Sequence, residues 1–380
     1  VTTRPRPSGR HRLRTMLVVG AVAIVATMLL AGFHTQLSDL RPDDRSDEAS
    51  ELLTPAIIGI RTFVPAGDVR VDEDVEYATE LDGTPLTLDV CSPAQPTPSP
   101  TAVPAAAAST APTETTDAPA TPTEPANAGA ASDDTDTDAE SDDDASAELL
   151  PAVLSIHGGS WARGDKANSD WRAVCEWLAS EGFVAYSVNY RLVPDVVFPA
   201  ALDDLTAAVN WMRSADNAEE YGIDPDRIGV FGGSAGANLA AVLGATGSGS
   251  LTEGARVAAV AALSGPVDLT YEGLVSIGAS DSLQQIAREY VGCDSLQDCD
   301  AAAEASVADA LDRTDPPVFI GTSEEEYVPL LQSTDYAEAL ADLDIDHELV
   351  TVPGALHSIG ILDEAMRSRV ATFLHQHLGA

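Results

Sequence analysis

The stretch Arg227-Ile228-Gly229-Val230-Phe231-Gly232-Gly233-Ser234-Ala235-Gly236-Ala237-Asn238-Leu239-Ala240-Ala241 decides the reading of this chain. A short apolar run leads into a glycine-flanked serine and an Ala/Leu-rich segment leaves it, which predicts strand, tight turn and helix. The G-x-S-x-G spacing has a steric cause. On a strained strand-to-helix turn, side chains beside the serine would strike the strand and the helix, and Gly232 and Gly236 remove them. The turn sets Ser234 at the helix N-terminus, where free backbone N–H groups can meet developing negative charge. Such a turn is a nucleophile elbow.

Outward from the elbow, strands and helices alternate. Upstream lie an apolar strand over Ala152 to Ile156, a helix over Ser169 to Glu181, a strand over Val184 to Val188 and a helix over Ala200 to Ser214. Downstream lie strands over Val257 to Leu263, Pro317 to Ile320 and Glu348 to Val352, then a closing helix over Ile361 to Leu378. This pattern predicts an α/β fold with a mostly parallel sheet covered on both faces. Its chemistry belongs beyond the carboxyl ends of the strands. Val71 to Thr79 and Pro85 to Val90, joined by Asp82-Gly83, predict an antiparallel opening hairpin.

Three further motifs accompany the elbow: His157-Gly158-Gly159-Ser160-Trp161 after a strand, Asn189-Tyr190-Arg191-Leu192, and Gly354-Ala355-Leu356-His357 near the end. In that order the four together resemble the α/β-hydrolase family, in its carboxylesterase branch of hormone-sensitive-lipase-like and bacterial feruloyl-esterase-like members. The likeness spans about Val69 to Ala380. It implies a serine carboxylesterase that needs no metal or organic cofactor. It also implies an oxyanion hole made by the backbone N–H groups of Gly159, Ser160 and Ala235.

Read as chemistry, Ser234 is the nucleophile and His357, in a loop after the last strand, is the base that takes its proton. His157 reads as scaffold, and His347, His375 and His377 as surface or packing residues. The third member should be a carboxylate after the Pro317 to Ile320 strand, where the chain offers Glu324-Glu325-Glu326. The family's aspartate stands three residues before the valine of a Val-Pro pair, and counting back from Val328 gives Glu325. Counting forward from Gly321 gives Glu324 instead. Asp203, Asp204, Asp224 and Asp268 read as structural. Trp161 is expected in the substrate pocket and Trp171, Trp177 and Trp211 in the core. The region from Tyr271 to Asp315 is expected to cap the site.

The rest of the chain concerns location. Residues 1–15 carry Arg4, Arg6, Arg10, Arg12 and Arg14, and 16–33 form an uncharged, almost wholly apolar run. This predicts a basic cytoplasmic tail and a transmembrane signal anchor, with all that follows outside the cytoplasmic membrane. Ala31 and Gly32 leave a cleaved signal and secretion as the alternative. Residues 34–68 read as an acidic tether to a hydrolase domain over 69–380. That domain is interrupted at 92–147 by a Pro/Thr/Ala/Asp-rich stretch without aromatic residues, predicted to be disordered. Inside one domain a loop of that length costs roughly 2 kcal/mol more than a short one.

The 380 residues carry a net charge of −41 with one lysine, Lys166, which excludes a nucleic-acid partner. Cys91, Cys175, Cys293 and Cys299 suit an oxidising compartment. Cys293 with Cys299 is the expected bridge, and Cys175 reads equally as Cys91's partner or as a buried thiol. The expected partners are a small-molecule or cell-surface ester and the membrane. Two alternatives remain: an amidase or peptidase on the same fold, and a catalytically silent hydrolase fold that serves in binding.

Overall fold

The computed structural model describes residues 59–65, 69–93, 149–308 and 310–379. The expected basic tail, anchor and nearly all of the insertion lie outside these residues. Among the described residues no helix is long and apolar enough to cross a membrane.

An eight-stranded sheet organises the domain, in the order β1-β2-β4-β3-β5-β6-β7-β8. The strands are β1 (Arg70–Thr79), β2 (Pro85–Ser92), β3 (Leu150–Ile156), β4 (Val184–Val188), β5 (Ile223–Gly233), β6 (Ala259–Leu263), β7 (Val318–Ser323) and β8 (His347–Val352). β1 pairs antiparallel with β2 and β2 antiparallel with β4, and every later pairing is parallel. The opening hairpin and the parallel body are as the sequence pattern predicts.

Side-chain alternation along the strands divides the core. Leu154, Val230, Val260 and Ile320 pack on one face with the helices α2 (Ala200–Arg213), α4 (Ala235–Ala245) and α7 (Leu330–Asp342). Val153, Phe231, Ala261 and Phe319 point to the other face, against α1 (Ser169–Ser180) and α8 (Glu364–Leu378). Strands buried on both faces read as near-continuous apolar runs, which is why β3 to β6 are visible in the sequence. Short helices α3 (Ala215–Tyr221), α5 (Asp281–Val291) and α6 (Asp300–Glu304) complete the set.

Two features differ from expectation, and the structure decides one open alternative. Order starts before Val69: Gly59–Thr62 forms a helical turn with Ile60 buried, while Arg61 pairs with Asp170 on α1 and Arg367 donates to Gly59 O and Thr62 Oγ1. At Gly59, with φ +50°, an added Cβ would lie 2.2 Å from the carbonyl of Ile359. The closing helix is split into a turn at Ser358–Ile361 and α8, with Asp363 capping the N-terminus of the latter. Cys175 is no free thiol: Cys91 of β2 is bridged to Cys175 of α1, and Cys293 to Cys299.

Candidate active site

The parallel strands end in register. Ile156 pairs with Gly232, Gly232 with Ala262, and Leu263 with Gly321, so the loops starting at His157, Ser234, Ser264 and Glu324 emerge side by side. A cavity of about 800 Å³ opens there, and Ser234 and His357 line it.

Ser234 sits at φ 57°, ψ −121°, a backbone conformation that costs energy in a residue with a Cβ. The surroundings hold it there. Its N–H donates to Leu263 O at 2.8 Å, and its carbonyl accepts from Ala237 and Asn238 of α4. A Cβ on Gly232 would lie 2.1 Å from Gly236 O, and one on Gly236 2.1 Å from Ile156 O. Both glycines of the elbow are therefore sterically required.

His357 Nε2 lies 2.8 Å from Ser234 Oγ, and His357 Nδ1 lies 2.5 Å from Glu326 Oε2. An ionised carboxylate at Nδ1 requires the imidazole proton there. Nε2 is then left to accept from the serine hydroxyl. The carboxylate on the histidine is thus that of Glu326, and neither Glu325 nor Glu324. β7 runs on through Ser323, three residues past the predicted end of the strand, and the Glu324 and Glu325 N–H groups still pair with Val352 O and Gly354 O. Their side chains face solvent. Only at Glu326 does the chain turn back beneath the histidine, two residues before Val328.

The Glu326 side chain is fully buried. Its Oε1 accepts from Thr322 Oγ1 at 2.7 Å, Ser264 Oγ at 2.8 Å and Ser323 N at 2.9 Å. These donors fix the carboxylate and hold Oε2 towards His357. Ser264 Oγ also accepts from Ser358 N at 2.8 Å, so one hydroxyl ties the acid to the loop that carries the base. Ser264→Ala is expected to lower kcat about tenfold with little change in KM, since the acid and base would be less firmly oriented. Steady-state kinetics beside a thermal melt test this; an unchanged kcat in a folded variant would contradict it. Neither Ser264 nor Thr322 carried a sequence signal, because both act through strand ends far apart in the chain.

The loop after β3 approaches the serine closely: a Cβ on Gly158 would lie 2.7 Å from Gly233 O and 3.1 Å from Ser234 Cβ. Gly159 (φ 129°), Ser160 (φ 58°) and Trp161 (φ 54°) curl the chain so that Ala162 N and Arg163 N both donate to Gly159 O. Among the described residues the N–H groups of Gly159 and Ser160 have no backbone partner, and both residues line the cavity. Ala235 is the first residue of α4, where its N–H has no carbonyl one turn back.

The third motif, Asn189-Tyr190-Arg191-Leu192, braces this loop. Tyr190 stacks on His157 with ring centroids 4.4 Å apart and donates to His157 O. Asn189 Oδ1 accepts from Lys166 N, and Arg191 clamps Asp204 of α2. Burial pushes the His157 imidazole below its ordinary pKa, so it is a neutral scaffold residue. Trp161 is buried and stacked on Tyr290 at 4.2 Å, and does not line the cavity. Trp171, at the start of α1, lines it instead. α5 contributes Ser282 and Ile286, so part of the 271–315 region does border the site.

The far end of the loop is held by charge. Asp89, 1% exposed in its side chain, takes Lys166 Nζ at 2.5 Å and Arg172 at 2.7 Å, and Lys166 also pairs with Asp74. Burial works against the Lys166 ammonium, but Asp74 and Asp89 more than offset it and hold its pKa above the ordinary lysine value. That contribution to stability is complete below the unfolded-state lysine pKa and is lost as pH rises through the higher folded value. Asp89→Asn is expected to destabilise the domain by about 3 kcal/mol, because it leaves buried cations short of a carboxylate. Urea unfolding at neutral pH measures this, and a change below about 1 kcal/mol would contradict a structural role for the cluster.

Among the described residues no group of three or more His, Cys, Asp or Glu side chains is placed to hold a metal ion.

Comparison with known proteins bears on the family and the fold. The family described as BD-FAE matches residues 140–340, more than half of the chain. Arylacetamide deacetylase from Bos taurus is 42% identical over 89 residues, which cover 23% of this chain and 22% of that protein. Carboxylesterase NlhH from Mycobacterium tuberculosis strain H37Rv is 43% identical over 94 residues, covering 25% and 28%. The chain thus spans about a quarter of the length of the curated relatives it matches. Among solved structures, the hyperthermophilic esterase from Pyrobaculum calidifontis superposes with TM-score 0.56 at 23% identity, covering 82% of this chain and 85% of that one. A truncated carbohydrate esterase from gut microbiota gives 0.59 at 20% identity, covering 82% and 97%. These two share the fold. From the BD-FAE match together with the sheet and the elbow, the chain belongs to the α/β-hydrolase carboxylesterase family.

Proposed function

We propose that this protein is a serine carboxylesterase that cleaves carboxylic esters through an acyl-enzyme on Ser234. The observation that carries this reading is the unbroken chain Ser234 Oγ, His357 imidazole, Glu326 carboxylate at a cavity open to solvent. As Ser234 Oγ attacks the ester carbonyl, His357 Nε2 takes its proton, and buried Glu326 stabilises the imidazolium without itself being protonated. The carbonyl oxygen, now anionic, faces the N–H groups of Gly159, Ser160 and Ala235. His357 returns the proton to the leaving alcohol, then removes one from water, which attacks the acyl-enzyme and frees Ser234.

The basic residues before the apolar run at 16–33 support a catalytic domain held outside the cytoplasmic membrane by a signal anchor. The two disulfides suit that compartment.

Hydrolysis of para-nitrophenyl esters of graded acyl length by the full chain tests the activity. Turnover of at least one member of the series is expected, and the length profile sizes the acyl pocket. A folded protein inert towards every ester yet active on para-nitroanilides would replace this reading with an amidase.

A further inference from the structure

The described part of the chain spends almost every cation on a carboxylate or a carbonyl. Arg61, Arg70, Lys166, Arg172, Arg191, Arg227, Arg256, Arg313 and Arg369 are in ion pairs, and Arg213 and Arg367 donate to backbone oxygens. Among the described residues only the side chains of Arg163 and Arg288 have neither kind of partner. Of these two, Arg163 lines the catalytic cavity. In a chain of net charge −41, an arginine without a carboxylate partner is conspicuous where substrate must pass.

Its surroundings narrow what it could take. No Asp or Glu side chain lines the cavity. The two carboxylates nearest in the chain are committed elsewhere, Asp165 to Ala167 N and Asn189 Nδ2, and Asp170 to Arg61. Asn168, another lining residue, spends Oδ1 on the Asp170 and Trp171 N–H groups at the head of α1. That leaves its Nδ2 as a pure donor without a partner among the described residues. The Arg163 stem is anchored beside the scissile bond: a Cβ on Gly159 would lie 3.2 Å from Arg163 Cγ, and Arg163 N donates to Gly159 O. This part of the cavity wall is thus all donors, one of them charged, next to the loop that faces the ester carbonyl.

We propose that Arg163, with the Asn168 amide, recognises a carboxylate on the substrate, so that the preferred esters are those of an acidic acyl group or an acidic alcohol. This rests on the esterase reading of the same cavity. An arginine fork matches a carboxylate's two oxygens, and both side chains are exposed at the cavity, where a substrate carboxylate can reach them.

The test uses the full chain and pairs of esters that differ in charge. Para-acetoxybenzoate and its methyl ester place the charge on the alcohol. The monophenyl ester of glutaric acid and phenyl pentanoate place it on the acyl group. The charged member of one pair is expected to have the higher kcat/KM. That preference should fall roughly five- to tenfold in Arg163→Gln, recover in part in Arg163→Lys and shrink with added salt. The responding pair tells which half of the ester carries the acid. A wild-type preference for the neutral member of both pairs, or the same ratio in Arg163→Gln, would overturn the proposal.

Binding separates this failure from failure of the esterase reading. With no turnover of any ester, tryptophan fluorescence of Ser234→Ala titrated with para-hydroxybenzoate and with glutarate still reports the anion site. Tighter binding of para-hydroxybenzoate than of its methyl ester, or of glutarate than of its dimethyl ester, weakened by adding Arg163→Gln, would support the site; no difference would refute it.

Discussion

Ser234→Ala is expected to lower kcat for any hydrolysed ester at least about ten-thousandfold, with thermal stability close to that of the wild type. The stability clause follows from the elbow. Alanine keeps the Cβ, so the cost of φ 57° stays as it is, and the Leu263 carbonyl still accepts from the same N–H. What is lost is the hydroxyl that pairs with His357 Nε2. Donors around the oxyanion position would leave a small residual rate. Activity above about one per cent of wild type would show that Ser234 is not the nucleophile.

The acid gives the second large effect. Glu326→Gln should reduce kcat about a thousand- to ten-thousandfold, whereas Glu325→Gln and Glu324→Gln should stay within about twofold. Glutamine nearly matches glutamate in shape, but it reverses the proton logic. Thr322, Ser264 and Ser323 all donate to Oε1, so the amide oxygen stays with them and the NH2 turns to His357 Nδ1. The ring must then accept at Nδ1 and carry its proton on Nε2, where it can no longer take one from Ser234. Kinetics of the three variants, with melts to confirm folding, decide the matter. A large loss in Glu325→Gln with a near-normal Glu326→Gln would overturn the assignment.

The elbow and the alternating strands could be read from the sequence because each rests on a local rule. Glycine beside a strained serine is a steric necessity within five residues, and β3 to β6 are apolar on both faces of the sheet. His357 stood out as the sole histidine just beyond the last strand.

The acid did not stand out, because three consecutive glutamates satisfy any motif equally well. The choice depends on β7 pairing with β8 as far as Ser323, which is a tertiary fact. The two tryptophans exchanged roles for a similar reason. Trp161 follows a strand end, a place that suits a pocket residue, yet positive φ at Ser160 and Trp161 folds it under the loop onto Tyr290. Trp171 fits a buried helical stripe, yet α1 starts at the cavity, so its first turn faces both core and substrate space.

Four helices also escaped the sequence reading, α3, α5, α6 and α7, although α5 and α7 have apolar residues three and four apart. Leu283, Ala287, Tyr290 and Val291 bury one side of α5, and Ser333, Tyr336, Ala337 and Leu340 one side of α7. Isolated helices of this length are marginal in water, so packing rather than local sequence decides them.

The most direct test of the account labels the nucleophile itself. Full-length protein treated with a fluorophosphonate should gain the mass of one phosphonyl group, and peptide mapping should place it on Ser234. Labelling should fail in Ser234→Ala and slow sharply in Glu326→Gln. A single adduct on another residue, or no adduct on a folded wild-type protein, would contradict the serine mechanism.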